Sequence, residues 1–147
     1  MRKFLIVATL LFVAQTLLGC ALGRKEWPSA QKSEDRFSLE LLNGIRQDGC
    51  LLLDIAVHGA ANRLWRIAIQ YESVGSEEGQ GCSGCPFVPR EVKEFTRESG
   101  EFNLQGSILK LGLCGLESGV EYRFRVMGTS ELPAMPLEST DVYESLP

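Results

Sequence analysis

The chain has 147 residues, 44% of them apolar and 23% charged, with 15 Gly and 6 Pro; this leaves room for one domain of ordinary size and is too apolar for a disordered chain. Lys and Arg number 15 against 19 Asp and Glu, a net charge of −4, so the chain lacks the basic footprint with which nucleic-acid binders displace counterions. A single His removes most general acid–base and metal-hydrolase chemistry.

Arg2 and Lys3 open the chain, and an apolar run from Phe4 to Leu18 follows, broken only by Thr9, Gln15 and Thr16. A cationic start and an apolar stretch are the pattern of a secretory signal. The run is short for a bilayer-spanning helix, which needs roughly 20 apolar residues, and the polar stretch from Ala21 to Arg36 carries no stop-transfer pattern. Leu17, Leu18, Gly19 and Cys20 resemble the lipobox of bacterial lipoproteins, although Leu18 stands where a small residue or Ser/Thr is more usual. The resemblance implies that residues 1–19 are removed and that Cys20 carries a thioether-linked diacylglycerol and a further amide-linked, palmitate-type chain. Several acyl chains turn reversible partition into stable anchoring, at about 0.8 kcal/mol per buried methylene. Ala21 stands where Asp signals inner-membrane retention in diderm lipoproteins, which implies an outer-membrane protein facing the periplasm. The alternative is an ordinary signal peptide whose cleavage falls near a Cys by chance.

Residues 20–36 show no periodicity and read as a lipidated Cys followed by a flexible tether. Arg24, Lys25 and Trp27 lying among lipid headgroups is the other reading of this segment. Without Arg2 and Lys3 the mature chain keeps 13 cations against 19 carboxylates, a charge of −6. Such a surface mildly repels anionic lipid, and the domain is expected to stand off the membrane.

From residue 37 the pattern is period two. Phe37, Leu39 and Leu41 define one strand, and Leu51, Leu53, Ile55 and Val57 a second that begins at Cys50, joined across Asn43 to Gly49. A turn at Gly59 to Asn62 leads to a third strand whose face is Trp65, Ile67, Ile69 and Tyr71. The Gly- and Glu-rich stretch after it gives way to a short strand within Phe87 to Phe95, broken by Pro89. Leu109, Leu111 and Leu113, then Tyr122, Phe124 and Val126, form two further strands, and Val142 and Tyr143 a last one. No window carries a helical stripe, so residues 37–147 are expected to be an all-β sandwich.

Leu116, Gly119 and Tyr122, followed by an alternating strand, resemble the corner between the fifth and sixth strands of a fibronectin type III domain. The resemblance implies a fibronectin type III-like, immunoglobulin-like β-sandwich in which the Tyr122 hydroxyl bonds to backbone upstream while its ring fills the core. Ser118 replaces a frequent Pro, and Ile55 stands where a core Trp is usual. Cys82-Ser-Gly-Cys-Pro86 is similar to the loop of a group of bacterial lipoproteins with one such sandwich and a CxxCP motif, a group without an agreed activity.

Cys50, Cys82, Cys85 and Cys114 remain once Cys20 is assigned to lipid, an even number suited to an oxidising compartment. The topology implied by the fibronectin resemblance makes the strand opened by Cys50 and the strand closed by Cys114 antiparallel neighbours. Cys50 shares the parity of Leu52 and Asp54, and Cys114 that of Lys110 and Gly112, so both are expected on the outer face of one sheet, where they can meet. For Cys82 and Cys85 a local bridge is the simplest reading. A thiol–disulfide exchange site, a zinc site built from four converging cysteines, and crossed pairing are the alternatives. Haem attachment fails because Pro86 occupies the His position.

No nucleophile elbow, zincin helix, P-loop or dinucleotide motif is present. His58 reads as an exposed loop residue and Glu77 and Glu78 as solubilising turn residues. Arg63, Arg66, Arg123 and Arg125 fall on strands expected to be neighbours; they form either a solvated face or a basic stripe for an acidic partner. The sequence thus leads to a non-catalytic binding or structural lipoprotein of the cell envelope, with no cofactor, no nucleic acid, the membrane as partner through Cys20, and an envelope protein as a further partner. The alternative is a thiol–disulfide or metal-handling lipoprotein using Cys82 and Cys85.

Overall fold

A computed structural model describes residues 33–145; Cys20, where lipidation is expected, and the expected signal sequence lie outside them. The described residues contain β1 (Phe37–Gln47), β2 (Cys50–Gly59), β3 (Leu64–Val74), β4 (Glu91–Thr96), β5 (Asn103–Gln105), β6 (Ile108–Cys114), β7 (Glu121–Ser130), β8 (Glu138–Ser139) and β9 (Tyr143–Ser145), with 3₁₀ turns at Ser33–Asp35 and Ala61–Arg63. One sheet has the order β1-β2-β6-β5, the other β4-β3-β7-β8, with β9 also pairing to β7. All pairings between strands are antiparallel. This is an all-β, immunoglobulin-like sandwich.

Alternation builds the core. Leu51, Leu53, Ile55 and Val57 of β2 and Leu109, Leu111 and Leu113 of β6 face Ile67 and Ile69 of β3 and Phe124 and Val126 of β7, and all are buried. Each such side chain contributes about 1.5–3 kcal/mol when fully withdrawn from water. β1, with 11 residues, spans roughly 33 Å at strand rise and so defines two ends. The near end, where the chain enters at Phe37, holds the Ala61–Arg63 turn, Trp65 and Ser130. The far end holds the β1–β2 turn, the end of β3 and the corner before β7.

The sequence pattern misplaces the first hairpin. β1 runs on to Gln47, and the connection is only Asp48 and Gly49, with φ of 51° and 75°. Two consecutive positive φ values are what a two-residue hairpin turn of matching twist requires, and Asp-Gly supplies them. The alternation fades after Leu41 because the register shifts between Leu41 and Asn43, leaving Leu42 53% exposed. A second shift between Leu64 and Arg66 puts Leu64, not Trp65, into the core. β4 begins after Pro89, which cannot donate to a ladder. The very short β5 and β8 escape a pattern that needs four or more residues to declare itself, and the last strand starts at Tyr143, with Val142 exposed before it.

Candidate functional site

β3 and β7 are neighbours, and Glu72 lies opposite Arg123. Period two points both away from Ile69 and Phe124, toward solvent. Yet Glu72 is 1% exposed and Arg123 5%, because the segment 75–90 folds back over this face. Gly81 bridges to Val74; its N–H donates to Ser73 O at 2.8 Å and its carbonyl accepts from Gly75 N–H at 2.9 Å. Arg90 N–H donates to Tyr71 O at 3.1 Å and closes the loop onto the strand it left. A Cβ on residue 81 would lie 2.7 Å from the Glu72 carboxylate, so the close crossing requires glycine.

The ion pair fastens the loop. Arg123 Nη2 donates to Glu72 Oε1, while Nη1 donates to Cys85 O at 2.6 Å and Nη2 also reaches Pro86 O at 3.5 Å. Val88 N–H donates to Glu72 Oε1 at 3.4 Å, and Arg90 Nε lies 4.0 Å from Oε2. Taking two charges out of water is repaid only when the remaining protons and lone pairs are also satisfied. Loop carbonyls and a loop N–H perform that role here, leaving only Arg123 Nε buried without an acceptor among the described side chains. Arg125, one outward position further along β7, donates to Gln70 Oε1 at 2.7 Å and stacks its guanidinium 5.4 Å from the centre of the Phe87 ring.

Cys82 and Cys85 form a disulfide within this loop, with Cys85 N–H donating to Cys82 O at 3.2 Å. Both residues are exposed. A cleft of about 260 Å³ adjoins them, bounded by Glu72, Gln80, Val88 and Arg90. Cys50 and Cys114 form the other disulfide, directly opposite each other on β2 and β6 with Cα atoms 3.9 Å apart. Their parity puts them on the outer face of the other sheet. The four cysteines therefore make two separate pairs, and no group of three or more His, Cys, Asp or Glu that could hold a metal occurs among the described residues.

The four arginines do not assemble into a free basic stripe. Arg63 sits in the 3₁₀ turn before β3, its Nη1 2.6 Å from Glu131 and its Nε 3.1 Å from Asp35. The hydrogen bond it donates to Glu131, then the charge of Asp35, hold its guanidinium pKa above the ordinary value. Arg66 reaches Glu94 at 3.4 Å. Arg123 is buried under the loop and Arg125 is engaged with Gln70 and Phe87. Parity assigns a face correctly but is blind to a segment that comes back to cover that face.

At the corner, Leu116 and Tyr122 are buried, Gly119 has φ +77°, and the Tyr122 hydroxyl accepts from Glu117 N–H at 3.2 Å. Arg46 completes this end of the core. It donates to Glu117 O at 2.9 Å, Val120 O at 3.2 Å and Ser145 Oγ at 3.4 Å, with its guanidinium 5.3 Å from the Tyr122 ring centre. Nothing in the local sequence marks this residue, because the bulge in β1 resets the parity on which its direction depends. His58 is exposed and hydrogen-bonds Glu40 at 2.8 Å, and Glu77 and Glu78 are exposed.

The larger concavity, about 510 Å³, crosses the outer face of the first sheet between Ile45, Leu52, Asp54, Asn103 and Lys110. It is floored by apolar side chains and rimmed by Asp54 and Lys110, whose charged atoms lie 3.9 Å apart. The fold and these surfaces define an immunoglobulin-like sandwich with a disulfide-bridged loop fastened across one face. No family model matches the chain, and no curated protein matches it significantly.

Proposed function

We propose that the chain is a lipid-anchored protein of the cell envelope, most simply at the outer membrane facing the periplasm, whose fibronectin type III-like sandwich is a non-catalytic binding or structural module. The observation that carries this reading is the position of the CxxC loop: a surface element fastened by a buried ion pair, on a domain whose chain enters at the other end. A tether attached at the near end presents the loop outward, and a rigid loop loses little freedom when a partner binds it. The two disulfides fit an oxidising compartment. The lipid reading rests on Cys20 alone. Cys20→Ser is expected to leave unprocessed precursor and to abolish incorporation of labelled fatty acid; soluble mature protein from the unaltered chain in cells would overturn it.

Thiol–disulfide exchange is the second reading, favoured by the exposure of both Cys82 and Cys85. Alkylation of thiols in intact cells separates the two. A binding module leaves all four domain cysteines unlabelled, whereas an exchange protein shows a reduced fraction confined to Cys82 and Cys85.

A further inference from the structure

The end of the sandwich at which the chain enters differs chemically from the other. Between β7 and β8 the chain passes through Leu132-Pro-Ala-Met-Pro-Leu137, six consecutive residues without a charge. Pro133, Pro136 and Leu137 are exposed, Leu137 to 59%. Glu131 N–H donates to Arg63 O at 2.9 Å, which fixes the start of this loop to the turn before β3. Trp65, pushed out of the core by the bulge in β3, is 37% exposed and lines a cleft of about 260 Å³ with Ser130 and Glu131.

The charges are divided in the same way. At the near end Arg63 holds both Asp35 and Glu131 in place, and Arg97 and Glu98 follow one another in the turn after β4. The far end carries Asp48, Glu77, Glu78, Glu117 and Glu121, with Arg46 directed into the corner. With Arg36, Arg63 and Arg97 against Glu34, Asp35, Glu98 and Glu131 the near end is less acidic than the far one, so an anionic surface would repel the far end more strongly.

We infer that the near end of the sandwich seats on a lipid bilayer, with Trp65 and the loop 132–137 at the boundary between headgroups and acyl chains. An indole and uncharged aliphatic side chains are suited to that layer. The occupant follows from the chain itself: whatever precedes Ser33 is covalently joined to this end, and Cys20 is 13 residues upstream, so an acyl anchor would hold this end within reach of the membrane. The inference rests on lipidation of Cys20, and it replaces a domain standing off the bilayer with one seated in a fixed orientation.

The test uses the full-length lipidated protein. Trp27→Phe leaves Trp65 as the sole tryptophan, since the chain has 2. The protein is reconstituted into vesicles of phosphatidylethanolamine and phosphatidylglycerol, with or without brominated acyl chains. A seated domain loses about half of its Trp65 emission to bromine, as expected for an indole some 5–10 Å deep. Leu137→Glu, at an exposed position, should restore most of that emission while the protein still floats with the vesicles. Unquenched Trp65 on protein that co-floats would overturn the seating and leave the anchor standing. Protein that fails to float would remove the anchor and the seating with it.

Discussion

Glu72 and Arg123 show what one rung of a sheet can do when both of its outward side chains are charged and a loop is laid over them. Removing one member leaves the other buried without its partner, a change that costs about 3–5 kcal/mol. Arg123→Met should lower stability by that amount in denaturant unfolding, and limited proteolysis should open the segment 75–90 first. Replacing both residues with Met should cost less than Arg123→Met alone, because no orphaned charge remains; a double variant as unstable as the sum of the singles would contradict the account. Tyr71 carries the pH dependence. Burial, then its hydrogen bond to Glu91 Oε2 at 2.9 Å, push its hydroxyl up to about 12 from the ordinary 10. The folded chain therefore holds this proton more tightly than the unfolded one, so the stabilisation is complete below pH 10 and is lost as pH rises from 10 toward 12. A spectroscopic titration of phenolate should contain a late component that Tyr71→Phe removes; three tyrosines ionising together near the ordinary value would refute it.

At the scale of strands, the pairing of β2 with β6 puts Cys50 and Cys114 opposite each other. Cross-linking positions 64 apart removes enough freedom from the unfolded chain to be worth up to about 4 kcal/mol. Cys50→Ala should lower stability by about 2–4 kcal/mol and expose one reactive thiol on Cys114, read by alkylation and peptide mapping without reductant. Cys50 joined to Cys82 or Cys85 in the parent protein would contradict the register. Most long strands were legible because Leu51 to Val57, Ile67 to Ile69 and Tyr122 to Val126 alternate without interruption, and alternation is a direct consequence of pleating. The elements that escaped are those where a bulge resets the alternation, at Leu42 and Trp65, or where the strand is too short for a period to show, as in β5. The site was less legible than the fold. The CxxC motif and the corner residues stand out in the sequence, but the burial of Glu72 and Arg123 depends on the path of a loop that no local pattern encodes.

Taken as a molecule, the sandwich has its most continuous packing in the middle and divided chemistry at its ends. Both central pairs, β2 with β6 and β3 with β7, contribute to one core cluster, while three of the sheet edges are left to short or irregular strands. β5 has 3 residues, β8 has 2 and β1 carries a bulge. Such edges present poor templates for pairing with another chain. The far end is closed by polar bonds from Arg46 and Tyr122, and the near end by the ion pairs of Arg63 with Asp35 and Glu131, with Trp65 beside them.

The two disulfides also impose an order on how the chain can be oxidised. Four thiols admit three connectivities, and only one leaves both native bonds in place. Cys82 and Cys85 are 3 positions apart, so their encounter needs no tertiary structure and is faster than any other in the unfolded chain. Once they have joined, Cys50 and Cys114 are the remaining thiols of the sandwich, and mispairing then requires exchange with the Cys82–Cys85 bond. A local bridge formed first thus leaves the remote bond to be made when β2 and β6 pair and set Cys50 opposite Cys114.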